Sequence, residues 1–332
     1  MTQPKLLLLS PAFHGYWKAI QASLEVHGYE VRTHIYDAPG TLPERILNKL
    51  AHELPEKYRP ESFAAQATRK AIDAFHEFRP DIVLVIKGDM LSREWWDLLE
   101  TSGVRYGTWL YDEMRRMSYT EEDLHHLGAL ASYSPLDAQH LREQGFEVLD
   151  MPNAYDTHCP VVPMREDSIN FVGAKYPNRE ETLQALVAAG LPVRAYGRAW
   201  SRHPYDILRT KQFKDSGVPA GRDIDRSEAY GIMASSPATL NIHNNQDGFT
   251  MRTFEAPGVG ALQVIDRADV DRYYIPGEEV LVYEGIDELI EICTRIFREP
   301  KWARQIREAG QKRTLAEHTF DQRVKILEQL WA

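Results

Sequence analysis

The run Asp81-Ile82-Val83-Leu84-Val85-Ile86-Lys87 decides the fold. Its central residues are all apolar and mostly β-branched, the pattern of a parallel strand buried on both faces. A helical stretch, Ala64–Phe78, stops just before it at Pro80, and a second, Ser92–Thr101, follows it. Strand Arg105–Tyr111, strand Ala129–Ser134, helix Leu136–Gln144 and strand Glu147–Leu149 continue downstream. Upstream, the apolar run Lys5–Ser10 precedes a helix over Tyr16–His27, stopped by Gly28. A strand over Glu30–Ile35 then enters the turn Asp37-Ala38-Pro39-Gly40. Strands alternating with helices in this way give a parallel sheet covered on both faces, a doubly wound α/β domain.

The design recurs in the second half. Strand Ser168–Val172, helix Arg179–Ala188 and strand Val193–Tyr196 are followed by helix Ser227–Ser235 and strand Thr239–His243. Helix Thr253–Pro257 and strands Ala261–Ile265 and Glu279–Tyr283 lead to three closing helices, Ile286–Arg298, Lys301–Thr314 and Thr319–Trp331. Between the halves, Pro152, Pro160 and Pro163 interrupt any periodicity. The expected division is therefore a first Rossmann-like domain over 1–152, a linker over 153–167 and a second domain over 168–316. Residues 317–332 are left to pack back on the first domain. Thr41–Ser62 and Ser201–Asp225 read as irregular loops. A chain of 332 residues exceeds the size at which one core keeps growing, so two domains are the natural outcome.

Composition narrows the function. Apolar residues make up 43% and charged residues 27%, which is ordinary for a globular protein. The net charge of −10 disfavours a chain held on nucleic acid or an anionic surface by bulk charge, although a local basic patch is compatible with it. The run Leu6–Leu9 is too short for a signal peptide or a spanning helix. Cys159 and Cys293 show no metal-type spacing and read as free thiols in a reducing compartment. The expectation is a cytoplasmic protein.

Ligands of open α/β sheets bind beyond the carboxyl ends of the strands. The stretch from Asn241 through His243, Asp247 and Arg252 to Glu255 runs from a strand through a glycine-containing polar loop into a helix. A helix start offers backbone N–H groups to phosphate. Asp247 and Glu255, eight positions apart, could grip two hydroxyls of one ligand. The same pattern also describes an ordinary capped helix with Glu255 favouring the dipole.

A longer series of motifs adds to this: NFVGAKYPNREE (170–181), VRAYGRAW (193–200), LNIHNN to GALQVIDR (240–267), GEEVLVY (277–283) and AEHTFDQR (316–323). In order and spacing they resemble the C-terminal half of the CgeB-like, spore-maturation type glycosyltransferases within the group 1 superfamily. The first half resembles the family in layout only. The resemblance implies two Rossmann-like domains facing across a cleft (GT-B type) and a nucleoside-diphosphate sugar as donor substrate. It also implies no further cofactor, no metal, and transfer with retention of configuration. By the same resemblance, Glu255 would hold the nucleotide ribose and Asp247 would lie near the transferred sugar. Lys175 and Arg179, in the loop opened by Gly173, match the basic pair expected at the diphosphate. Tyr196, Gly197 and Arg198 would frame the base, and Arg252, Thr253 and Phe254 would complete the phosphate-facing helix start.

In the first domain, His14 in SPAFHGYW follows the first strand beside a permissive glycine. It reads either as a ligand contact or as a satisfied loop histidine. Asp112, with Glu113, follows the strand Arg105–Tyr111, and reads as a solvated loop or as an acceptor-orienting group or base. His243, Trp95 and Trp96 read as structural, and His318 as an anchor of the last helix. The acceptor stays open between a polysaccharide, a small molecule, a protein and a hydroxylated phage DNA base. A nucleotide-sugar epimerase and a non-catalytic sugar- or nucleotide-binding protein are the competing readings.

Overall fold

The computed structural model describes residues 3–38 and 63–332. The stretch expected to be irregular, 41–62, lies outside those residues, as do Pro39 and Gly40 of the expected turn. The described chain divides into two compact units, Met1–Pro152 with Phe320–Ala332, and Asn153–Thr319.

The first unit is built on β1 (Lys5–Ser10), β2 (Glu30–Ile35), β3 (Ile82–Ile86), β4 (Arg105–Leu110), β5 (Ala129–Ser132) and β6 (Val148–Asp150). All neighbours are parallel, in the order β2-β1-β3-β4-β5-β6. Leu6–Leu9 and the whole of β3 are buried, as their unbroken apolar runs require, while edge strand β2 is only partly covered. Helices α1 (Trp17–Val26), α2 (Phe63–Phe78), α3 (Arg93–Ser102), a short α4 (Glu121–Leu124) and α5 (Pro135–Glu143) connect the strands. Trp95 and Trp96 are core residues, in keeping with their structural reading.

The second unit repeats the plan. Strands β7 (Ile169–Val172), β8 (Val193–Tyr196), β9 (Ala220–Gly221), β10 (Thr239–Asn241), β11 (Gln263–Ile265) and β12 (Leu281–Val282) form a parallel sheet in the order β12-β11-β10-β7-β8-β9. They are linked and covered by α6 (Pro177–Ala188), α7 (Pro204–Thr210), α8 (Arg226–Ser235), α9 (Arg252–Gly258), α10 (Ile286–Arg298) and α11 (Pro300–Glu317). Two elements, α7 and β9, lie in the stretch 201–225 that reads as irregular. Residues 153–167 run along the second unit: Asn153 Nδ2 donates to the Phe249 carbonyl at 2.9 Å and Asp156 pairs with Arg226 at 2.8 Å.

After α11, α12 (Phe320–Leu327) rejoins the first unit. Trp331 Nε1 donates to Tyr29 Oη at 3.1 Å, and Tyr29 Oη donates to Glu328 at 3.1 Å. A methyl on Gly107 of β4 would meet Leu330 Cβ at 2.7 Å, so only a glycine lets the C-terminal segment lie this close. Both cysteines are free; Cys293 lies in the core of the second unit, where burial pushes its thiol up to about 12. No helix among the described residues is long and apolar enough to cross a membrane.

Candidate functional site

Both sheets have a point where the strand order reverses. In the second unit the chain moves outward through β7, β8 and β9, then returns to lay β10 on the other side of β7. The crevice at such a point is flanked by the loops leaving the two strands. Here those loops are 173–176, which carries Lys175, and 242–251, which carries Asp247 and runs into Arg252 and Glu255.

Loop 173–176 is fixed from three directions. The Gly173 amide donates to the Tyr196 carbonyl at 3.0 Å, and the Trp200 indole donates to the Gly173 carbonyl at 3.0 Å. Gly197, with φ of 150°, approaches so closely that an added Cβ would stand 2.6 Å from the Gly173 oxygen. Lys175 Nζ lies 5.5 Å from the centre of the Trp200 ring and 2.9 Å from Glu180. The aromatic face and the single carboxylate fix the orientation of this cation.

Arg179 has a different place from the one its position in the motif suggests. It is buried, and its Nε and Nη1 donate to the carbonyls of Ile242 at 2.8 Å and Ala174 at 3.0 Å. Burial pulls its guanidinium below the usual value. Its N–H groups therefore tie the end of β10 to loop 173–176. Tyr196 is likewise packed inward, its hydroxyl bonded to Glu166 and its pKa pushed up to about 12, by burial first. Arg198 is a surface residue paired with Asp223 at 2.7 Å.

The loop between β10 and α9 is clamped by residues after β11. Asp266 accepts from the His243 amide and from its Nδ1, both at 2.8 Å. The guanidinium of Arg267 lies 4.1 Å from the Phe249 ring centre, and its Nη1 donates to the carbonyls of Gln246 at 3.0 Å and Asp247 at 2.6 Å. His243 is thus a buried anchor, as its structural reading holds, and Asp247 is half-buried.

The helix start does not offer the free N–H groups expected of it. The amides of Thr253 and Phe254 already donate to the carbonyls of Thr250 and Met251, each at 3.0 Å, and α9 is only seven residues long. The Thr253 side chain is buried against Asn241 at 2.9 Å, and Phe254 sits among Tyr273, Tyr274 and His318. Those two residues are core, because α9 packs into the unit along most of its length. What the helix does present is an ion pair. Glu255, fully buried, lies 2.9 Å from Arg252 Nη1 and accepts from the Tyr230 hydroxyl at 3.2 Å. Arg252 Nε is buried and has no hydrogen-bond partner among the described residues.

In the first unit the reversal falls between β1 and β3. His14, exposed, has a left-handed φ of 48°, and Lys87, at the end of β3, one of 63°. Asp112 Oδ2 lies 3.2 Å from Lys87 Nζ, while its Oδ1 accepts from the Glu113 amide at 3.0 Å. Glu113 is buried and paired with Arg115 at 2.5 Å and Arg116 at 3.3 Å. Half-exposed Phe13 stands edge-on to Tyr111, centroids 5.9 Å apart, which joins the loops after β1 and β4.

Tyr230, Asp266, Arg267 and Lys87 hold the candidate groups in place. Asp266 and Arg267 stand directly after a strand and Lys87 ends one, which marks all three in the sequence as cleft-facing; Tyr230, inside a helix, carries no such signal.

The family model described as "Glycosyl transferase-like" matches residues 179–329. The chain is 20% identical to the spore protein CgeB of Bacillus subtilis (strain 168) over 265 residues, covering 74% of this chain and 81% of that one. Its fold is similar to that of sucrose-phosphate synthase from Thermosynechococcus elongatus, with a TM-score of 0.65 at 13% identity over 99% of this chain and 98% of the other. It is also similar to Anabaena Alr3699/HepE in complex with UDP-glucose, with a TM-score of 0.63 at 12% identity over 98% of both chains. The chain is thus similar to CgeB and contains a glycosyl transferase-like region, carried on a GT-B-type fold of two parallel-sheet α/β units.

Proposed function

We propose that the second unit binds a nucleoside-diphosphate sugar at its β7/β10 reversal and that the chain transfers the sugar to a hydroxyl acceptor. The observation that carries this reading is that the cation-bearing loop 173–176 and the acid-bearing loop 242–251 are the two loops flanking that reversal. The glycosyl transferase-like match over 179–329 and the UDP-glucose held by a protein of the same fold support it.

Departure of a nucleoside diphosphate develops negative charge, and fixed cations aimed at it lower the barrier. Lys175 supplies one. Arg252 supplies the second: its unpartnered buried Nε is costly as it stands, and a phosphate oxygen would satisfy it. As Arg252 turns to phosphate, Glu255 keeps the bond from Tyr230 and takes ribose hydroxyls in place of the guanidinium. Arg179 acts behind them, holding the two loops in register. These cations take the part a divalent metal plays elsewhere, so the reaction proceeds without one. With retention, the C1–phosphate bond breaks as the acceptor oxygen bonds C1 from the same face, and the acceptor proton passes to the departing phosphate. On that route no general base is required, so neither Asp112 nor His14 is needed to deprotonate the acceptor. The uridine nucleotides are the first donors to try.

A thermal-shift screen with UDP, GDP, TDP and CDP sugars tests donor binding, since a ligand specific to the folded state raises the melting temperature. Stabilisation followed by slow donor hydrolysis that survives EDTA supports the reading. No shift with any donor contradicts it. Epimerised rather than transferred sugar would assign the competing epimerase chemistry.

A further inference from the structure

The crossover between β8 and β9 carries a surface that the donor site does not use. Leu208 and Phe213 are 73% and 68% exposed, the highest values among the exposed large apolar side chains of the described residues, and Tyr205 is 59% exposed. Tyr205 and Leu208, three apart on α7, share a face of that helix. Arg202 Nη1 donates to the Phe213 carbonyl at 3.4 Å and its Nε lies 3.6 Å from Asp215, so the chain after α7 is drawn back beside the helix start. The exposed Phe213 is therefore carried on a segment held beside the start of the helix that bears Tyr205 and Leu208.

The charges around them are one-sided. Asp206, the acid of α7, is turned inward, bonded to Ser201 Oγ at 2.8 Å and to Arg222 at 2.9 Å. Asp215 is matched by Arg202. Arg209, Lys211 and Lys214 remain, all exposed and, among the described residues, without an ion pair. Cations gather here on a chain whose net charge is −10.

We propose that this surface docks the protein on an anionic lipid membrane. Leu208 and Phe213 enter the acyl boundary, Tyr205 sits at headgroup level, and Arg209, Lys211 and Lys214 meet the lipid phosphates. An acidic polymer would satisfy the cations but leave Leu208 and Phe213 in water. A second copy related by a two-fold axis would set the same cations against themselves. The inference is independent of the donor site, because none of these side chains belongs to it.

Co-sedimentation with phosphatidylcholine vesicles, with and without phosphatidylglycerol, tests this without any donor. The protein is expected to partition at least about tenfold more strongly onto the anionic vesicles, less so as salt is raised. Leu208→Glu/Phe213→Glu and, separately, Arg209→Glu/Lys211→Glu/Lys214→Glu are each expected to abolish that enrichment while leaving the melting temperature unchanged. Equal partitioning onto neutral and anionic vesicles overturns the proposal, as does retention of binding by both variants. A dimer in light scattering that Phe213→Glu dissociates, without vesicle binding, also overturns it and assigns the face to a second copy.

Discussion

At the scale of single residues, the ion pair between Arg252 and Glu255 is the most consequential group. Removing one partner of a buried pair leaves the other charge uncompensated, at about 3 kcal/mol or more. Glu255→Gln keeps the shape and the bond from Tyr230 but loses the charge. It is expected to lower the melting temperature by several degrees and to weaken UDP binding at least about tenfold in calorimetry, each tenfold being about 1.4 kcal/mol. Unchanged affinity would take Glu255 out of the donor site. Lys175→Met removes a cation from the phosphate side without opening the core. Its expected effect is a fall in kcat of about two to three orders of magnitude with a smaller change in KM, the signature of a lost transition-state contact. Gly197→Ala forces a methyl against the Gly173 carbonyl at a left-handed φ, so a loss of stability in chemical denaturation is expected. In the sequence, Asp247 and Glu255 come to attention through their spacing, and Lys175 through the family resemblance of the loop that carries it. The sequence could not show that Arg179 spends its N–H groups on Ala174 and Ile242, since that bond spans from residue 179 to residue 242. Nor could it show Tyr230 at Glu255, which comes from a different helix.

At the scale of elements, the ends of the strands carry the site and the strands themselves only position it. Short apolar runs made those strands legible: Leu6–Leu9 and Ile82–Ile86 are buried throughout because helices cover both faces. Helix α7 left no such trace. Its large apolar side chains Tyr205 and Leu208 point outward and its buried residue is Asp206, the reverse of an amphipathic stripe. The start of α9 departs from the sequence expectation for a related reason. Spacing marks where a helix begins, but whether its first N–H groups are free depends on the turn before it, and here Thr250 and Met251 accept them. Loop 243–251 depends on a clamp from β11. Asp266→Ala removes both bonds to His243, and hydrogen exchange across 243–251 is expected to quicken while β10 and β11 stay protected. Exchange unchanged from the wild type would show that Arg267 alone holds the loop.

At the scale of the whole molecule, two units of similar plan share one chain, and the C-terminal segment returns to the first of them. Truncation after Thr319 removes Leu330 from Gly107 and Trp331 from Tyr29. Hydrogen exchange of the truncated chain is expected to show β1–β5 loosened and β7–β12 near normal. The thiols give a second readout: Cys293 is buried with a raised pKa, so disulfide reagents should reach it only when the second unit unfolds, whereas partly exposed Cys159 reacts earlier. The repeat of the plan was legible from the alternation of segments, because each half carries its own apolar strands.

The central claim is that a diphosphate lies between loops 173–176 and 242–251. Hydrogen exchange measured with and without saturating UDP, GDP, TDP or CDP tests it most directly. At least one nucleotide should slow exchange across both loops together, with the first unit little changed. Protection confined to the first unit, or none with any of the four, would contradict it.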